Sequence, residues 1–163
     1  MARNVYNKTN DFYEVSDMLA IGCDHAGVEL KNAVEEELKA QGIEYKDFGT
    51  FDSASVDYPL IAQKVACSVA SGESERGILI CGTGVGMSIA ANKVNGIRAS
   101  LCHDTFSARM TRMHNDSNVL CMGARVIGVG LALDITNAWL HTAFEGGRHQ
   151  RRVDLMTQME QNR

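Results

Sequence analysis

From residue 18 onward the chain alternates short apolar runs with segments of helical period, and few folds accommodate that alternation. The first run is Met18-Leu19-Ala20-Ile21-Gly22. A helix is predicted over residues 28–40, with Leu30, Val34 and Leu38 at four-residue spacing; Gly42 stops it, as a glycine just past a helix does. Residues 43–48 read as a second strand. The sole proline, Pro59, suits the opening turn of a helix over 60–71. Ile78-Leu79-Ile80 is a third strand, followed by a loop at 81–86 and a helix over 87–94. Residues 97–102 make a fourth strand, 104–113 a helix and 118–122 a fifth strand. Helices over 129–143 and 149–161 close the chain. Such βαβ units build a parallel sheet covered on both faces. Ligands of these sheets bind beyond the carboxyl ends of the strands, so chemistry is expected just after Gly22, Ile80, Cys102 and Cys121.

Bulk properties narrow the partners. The 163 residues suffice for one domain with a substantial core. Residues 1–17 are polar without a clean period and read as an N-terminal extension, a candidate for disorder, to which no function is assigned; residues 18–163 form the single domain. The formal charge of −4 disfavours a general nucleic-acid binder. No apolar stretch approaches the roughly 20 residues that span a bilayer. Cys23, Cys67, Cys81, Cys102 and Cys121 are irregularly spaced and include no CxxC pair, which argues against a disulfide framework or a structural zinc site and fits a reducing cytoplasm.

The strand ends carry the candidates for chemistry. After the first strand, Gly22-Cys23-Asp24-His25-Ala26-Gly27 sets an acid beside a histidine. Asp24 either caps the following helix or serves a site. The third strand runs into Cys81-Gly82-Thr83-Gly84-Val85-Gly86, whose glycines let backbone N–H groups approach an anion. The spacing is GxGxG rather than the dinucleotide GxGxxG, and it follows the wrong strand for that motif. Cys23, Cys102 and Cys121 fall in or at the ends of apolar runs and Cys67 in a helix pattern, where cysteine behaves as a small hydrophobe. Cys81 differs: it heads a loop of donors, and a helix N-terminus favours the thiolate. Thr83 is close by. His114, in Met113-His114-Asn115-Asp116, titrates near neutral pH or merely ends a helix. Arg148 and Arg152 share a helical face and could fork around a phosphate, or form a solvated basic face.

Taken together, these strings resemble the ribose-5-phosphate isomerase type B family, which includes galactose-6-phosphate isomerase subunits and allose-6-phosphate isomerase. The residues that carry the resemblance are GCDHAG at 22–27, DYP at 57–59, GILICGTGVGMSIAANK at 77–93, GIRA at 96–99, HND at 114–116 and EGGRHQRR at 145–152. It covers roughly residues 18–160. It implies a Rossmann-like three-layer α/β/α sandwich with a five-stranded parallel sheet. It further implies a homodimer, or a tetramer, with active sites at the subunit interface. It implies aldose–ketose isomerisation of ribose 5-phosphate and ribulose 5-phosphate, with no metal and no redox cofactor. Cys81 corresponds to the base that shuttles a proton between C2 and C1, and His114 to the ring-opening residue. Asp24 lies near the sugar, and Thr83 with the loop at Gly82, Gly84, Val85 and Gly86 stabilises the enediolate. His25, Arg125, Arg148 and Arg152 match phosphate-binding positions, and Tyr58 and Asn115 match sugar contacts. A six-carbon phosphosugar or a free aldose is the alternative substrate. A non-catalytic nucleotide-binding module would leave the combination of Cys81, Thr83 and His114 unexplained.

Overall fold

A computed structural model describes residues 3–6, 12–15 and 18–161. Within the N-terminal extension, β1 (Arg3–Tyr6) pairs antiparallel with β2 (Phe12–Val15), Arg3 opposite Val15 and Tyr6 opposite Phe12. Val5, Tyr6, Phe12, Tyr13 and Val15 are residue types that favour strands. Regular structure therefore begins earlier than the polar composition suggests.

The main sheet has five parallel strands: β3 (Leu19–Cys23), β4 (Tyr45–Asp47), β5 (Arg76–Cys81), β6 (Ala99–Leu101) and β7 (Val119–Gly123), in the spatial order β4-β3-β5-β7-β6. The three central strands are buried and the two edge strands are partly exposed. The edges are also shorter than the apolar runs at 43–48 and 97–102 predict, since each finds hydrogen-bond partners on one side only.

Side chains alternate across the pleat and split the core in two. Leu19, Ile21, Ile78, Ile80, Leu120 and Met122 face α1 (Val28–Ala40), α4 (Thr105–Asn115) and α5 (Val129–Leu140). Ala20, Leu79, Cys81, Val119 and Cys121 face α2 (Tyr58–Ala70) and α3 (Val85–Ala91). The result is the expected three-layer α/β/α sandwich. The last helix, α6 (Arg148–Gln161), packs on α4 outside these layers.

Local signals explain the element ends. Gly42 has φ +69°, and the N–H of Ile43 reaches back to Leu38 at 2.9 Å, closing α1 as a glycine after a helix should. Pro59 sits in the first turn of α2. Gly146 and Gly147, at φ +65° and +55°, reverse the chain into α6.

Candidate active site

The chain moves from β3 outward to β4 and then returns across β3 to lay down β5 on its other side. At that change of direction the loops leaving β3 and β5 diverge, which opens a crevice beyond their carboxyl ends. Two loops border it.

The first loop follows β3. Asp24 is buried, and its carboxylate accepts the N–H of Ala26 at 2.9 Å. Gly27, not Asp24, precedes the first turn of α1. Asp24 thus closes a tight turn at the crevice and does not cap the helix. His25 follows it, with a buried Nδ1 that has no hydrogen-bond partner in the structure. Gly27 has to be small, because a Cβ there would stand 2.9 Å from the Ile80 carbonyl oxygen.

The second loop follows β5. The Gly84 N–H donates to Cys81 Sγ at 3.0 Å, and the thiol is only 5% exposed. Thr83 Oγ1 accepts the Val85 N–H at 3.3 Å. The loop is tied to β7 by the Ala124 N–H on the Cys81 carbonyl (2.8 Å) and the Arg125 N–H on the Gly82 carbonyl (3.0 Å). The Arg125 side chain therefore lies over Gly82, its Cδ 3.5 Å from where a Cβ would be. The Tyr58 ring closes on Gly86 from the start of α2, 2.7 Å from the corresponding point. Asp24, His25, Tyr58, Cys81, Gly82, Thr83, Gly84, Val85, Gly86 and Arg125 thus gather at one end of the sheet.

Gly84 is the conformational pivot of this group. Its φ is +76°, and a Cβ would stand 2.5 Å from Leu101 Cδ1 and 2.8 Å from the Met122 carbonyl carbon. Gly84→Ala is expected to destabilise the fold by about 2 kcal/mol, combining left-handed strain with the clash. Thermal unfolding should show it as a fall of about 4–8 °C in Tm; an unchanged Tm would mean the loop relaxes freely.

The remaining predicted residues lie elsewhere. Helix α4 starts near the carboxyl end of β6 and runs back along the sheet for about 16 Å, its eleven residues rising 1.5 Å each. His114 and Asn115 are in its last turn, where the Asn115 carbonyl accepts from Arg98 just before β6 begins. Asp116, in left-handed conformation, caps α4, so His114 is not the cap. Arg148 and Arg152 stand on the neighbouring α6. Within one chain, His114, Asn115, Arg148 and Arg152 are therefore at the opposite end of the sheet from Cys81.

Three side chains at these two ends escape sequence reasoning. His103 follows β6, and its buried Nε2 lies 2.9 Å from where a Gly123 Cβ would be, beside the Thr83 backbone. The rule about strand ends pointed just past Cys102, yet a lone histidine there carried no motif. Glu145 and His149 flank His114. The His114 and His149 rings stack at 4.2 Å, only 10° from parallel. Burial, His114 and the Arg148 guanidinium hold the His149 imidazole below its usual pKa.

The other strand-end thiols are quiescent. Burial pushes Cys23 up to about 12 and Cys102 up to about 11, and holds Cys121 well above the usual thiol range. Cys67 is exposed on α2.

A parallel sheet with a donor loop at its switch point defines an open α/β domain built to hold a small anionic ligand beyond its strand ends. Known proteins narrow that class. The Ribose/Galactose Isomerase family model matches residues 19–156, and the chain belongs to that family. It is 53% identical over 145 residues to ribose-5-phosphate isomerase B of Escherichia coli, covering 89% of this chain and 97% of that one. It is 46% identical over 138 residues to D-erythrulose-4-phosphate isomerase of Pectobacterium atrosepticum, covering 83% of this chain and 90% of the other. The solved structure of Clostridium thermocellum ribose-5-phosphate isomerase B superposes with a TM-score of 0.88 at 52% identity, over 89% of this chain and 98% of that one. Among the described residues no helix is long and apolar enough to cross a membrane.

Proposed function

We propose that the protein is an aldose–ketose isomerase interconverting ribose 5-phosphate and ribulose 5-phosphate by proton transfer. The observation that carries the reading is the Cys81 thiol, held 3.0 Å from the Gly84 N–H at the head of a glycine loop at the switch point. The Cys81 thiolate takes the proton from C2 of the open-chain aldose and returns it to C1. A second proton passes from O2 to O1. Between these steps the enediolate oxygen draws on Thr83 and the loop N–H groups; one such donor is worth about 10²–10³ in rate. His114 opens the furanose ring. His25, Arg125, Arg148 and Arg152 hold the phosphate, and Asp24, Tyr58 and Asn115 hold the sugar hydroxyls.

This assignment needs two chains. The Cys81 half and the His114 half stand at opposite ends of one sheet, and α4 is rigid between them. A two-fold homodimer brings the first half of each chain to the second half of its partner, giving two sites. Exposed apolar side chains support such pairing: Tyr58, Leu60, Val85 and Ile89 near the loop, and Leu155, Met156 and Met159 on α6. A groove of about 420 Å³ lies along the first set, lined by Tyr58, Leu60, Gly86 and Ile89. Free thiols at all five cysteines fit a reducing cytoplasm.

A second reading, a four-carbon phosphosugar as main substrate, is favoured by the 46% identity to the erythrulose-phosphate enzyme, and a six-carbon one by the Ribose/Galactose Isomerase family model. Values of kcat/KM across D-erythrulose 4-phosphate, ribose 5-phosphate and allose 6-phosphate separate these readings. Ribose 5-phosphate is expected to lead by roughly tenfold or more, the discrimination one carbon unit supports. A larger value for either other sugar would reassign the substrate.

A further inference from the structure

We propose that His103 is a positioning residue of the isomerase site: its imidazole holds the Thr83 carbonyl and thereby aims the Gly84 N–H at Cys81 Sγ. The Thr83 carbonyl and the Gly84 N–H belong to one planar trans peptide unit, so they point in opposite directions and turn together. The N–H end is engaged, donating to Cys81 Sγ at 3.0 Å. The carbonyl end lies against Gly123 and, among the described residues, accepts no hydrogen bond. Gly84 is left-handed, at φ +76°. A peptide plane next to a glycine turns more easily than one between bulkier residues, so this plane needs a second hold.

His103 supplies the missing donor. Its Nε2 is buried and makes no hydrogen bond. A Cβ on Gly123 would stand 2.9 Å from that nitrogen and 2.7 Å from the Thr83 carbonyl carbon and oxygen. Donor and acceptor therefore meet over the Gly123 Cα, with no side chain there to part them. A neutral imidazole carrying its proton on Nε2 has one hydrogen to give. An unpaired buried N–H is destabilising, so rotation of the ring onto the carbonyl is favourable. Hydrogen bonds of catalytic sites are often long without ligand and tighten when substrate binds.

The ring has firm neighbours to pull against. The Cys102 N–H before it donates to the Cys121 carbonyl at 3.0 Å, and Asp104 after it caps α4 by accepting the Ser107 N–H at 2.7 Å. Since Nε2 is buried, His103 acts through Gly84 and does not itself touch the sugar. Its effect on turnover rests on the isomerase reading; its effect on the Cys81 thiol does not.

The test uses full-length protein carrying Cys67→Ser, which removes the exposed thiol. Iodoacetamide labelling of Cys81 at pH 7, followed by peptide mass spectrometry, reads the thiolate that the Gly84 N–H favours. His103→Leu is expected to slow labelling about threefold and to lower kcat on ribose 5-phosphate about tenfold, short of the 10²–10³ that outright loss of an anion-hole donor costs. KM should stay within about twofold. His103→Gln, whose amide N–H reaches as far as Nε2, should restore both rates to within about threefold of the parent. His103→Asn, which is too short, should behave like His103→Leu. The Gln and Asn variants carry the comparison even if His103→Leu fails to fold. Labelling and kcat unchanged in His103→Leu and His103→Asn would overturn the proposal. So would a His103→Gln no better than His103→Asn, which would leave His103 a packing residue. An enzyme that turns over no phosphosugar at all would instead sink the isomerase reading, and the labelling rates would still decide whether His103 positions the thiol.

Discussion

Cys81→Ala is expected to lower kcat on ribose 5-phosphate by about 10²–10⁴-fold, the usual contribution of a positioned proton-transfer group, while KM stays within a few-fold. The reason lies in how the loop is held. Cys81 is anchored by its backbone carbonyl to the Ala124 N–H, and Gly82 by its carbonyl to the Arg125 N–H. Neither bond uses the sulfur. The alanine variant therefore keeps both of these backbone ties and loses the atom that accepts the proton, together with that atom's contact to the Gly84 N–H. A fall in kcat with unchanged Tm and KM is the signature of an interaction made in the reacting state alone. An active Cys81→Ala enzyme would end the thiolate mechanism. A variant that loses Tm along with activity would make Cys81 a packing residue, as its place in the core against Leu79 and Cys121 would also allow.

Mixing two inactive variants gives the second large effect. Cys81→Ala and His114→Ala should each be nearly inactive as homodimers. Unfolded together and refolded, they should recover about a quarter of the wild-type rate. Random pairing makes half of the dimers mixed, and two-fold symmetry gives each mixed dimer one site with both changes and one with neither. If each chain built its own site, the mixture would show only the sum of two residual rates. His114 suits the experiment because it lies in the last turn of α4, beyond the core residues Ala108 and Thr111.

Much of the fold could be read from the residues. The run at Ile78-Leu79-Ile80 is apolar at every position, and that is why a doubly covered central strand was legible there. Gly42 and Pro59 marked α1 and α2 because their backbones admit few alternatives. The edge strands were harder. Residues 43–48 are half-exposed, so their pattern carries little of the burial that makes a strand visible, and only Tyr45–Asp47 pair. The ribbon of β1 and β2 hid in a polar stretch too short to show a period.

The site was legible in a different way. Cys81 and its glycines are contiguous, so one look along the chain finds them. Asp24 and Arg125 come from other strand ends, and the rule that ligands sit beyond those ends predicts their meeting. The distance between Cys81 and His114 could not be read, because it depends on which way α4 runs along the sheet. Glu145 and His149 stayed hidden for the same reason, since the α5–α6 connection, not the sequence around His114, brings them to it.

The direction of α4 also bears on how the protein behaves in a cell. If every competent site borrows half its groups from a second molecule, activity obeys the law of mass action. Dilution would silence chains that remain perfectly folded, and newly made chains would acquire activity at a rate that grows with the square of their concentration. A defective copy expressed beside a sound one would then damage only one of the two sites it helps to build.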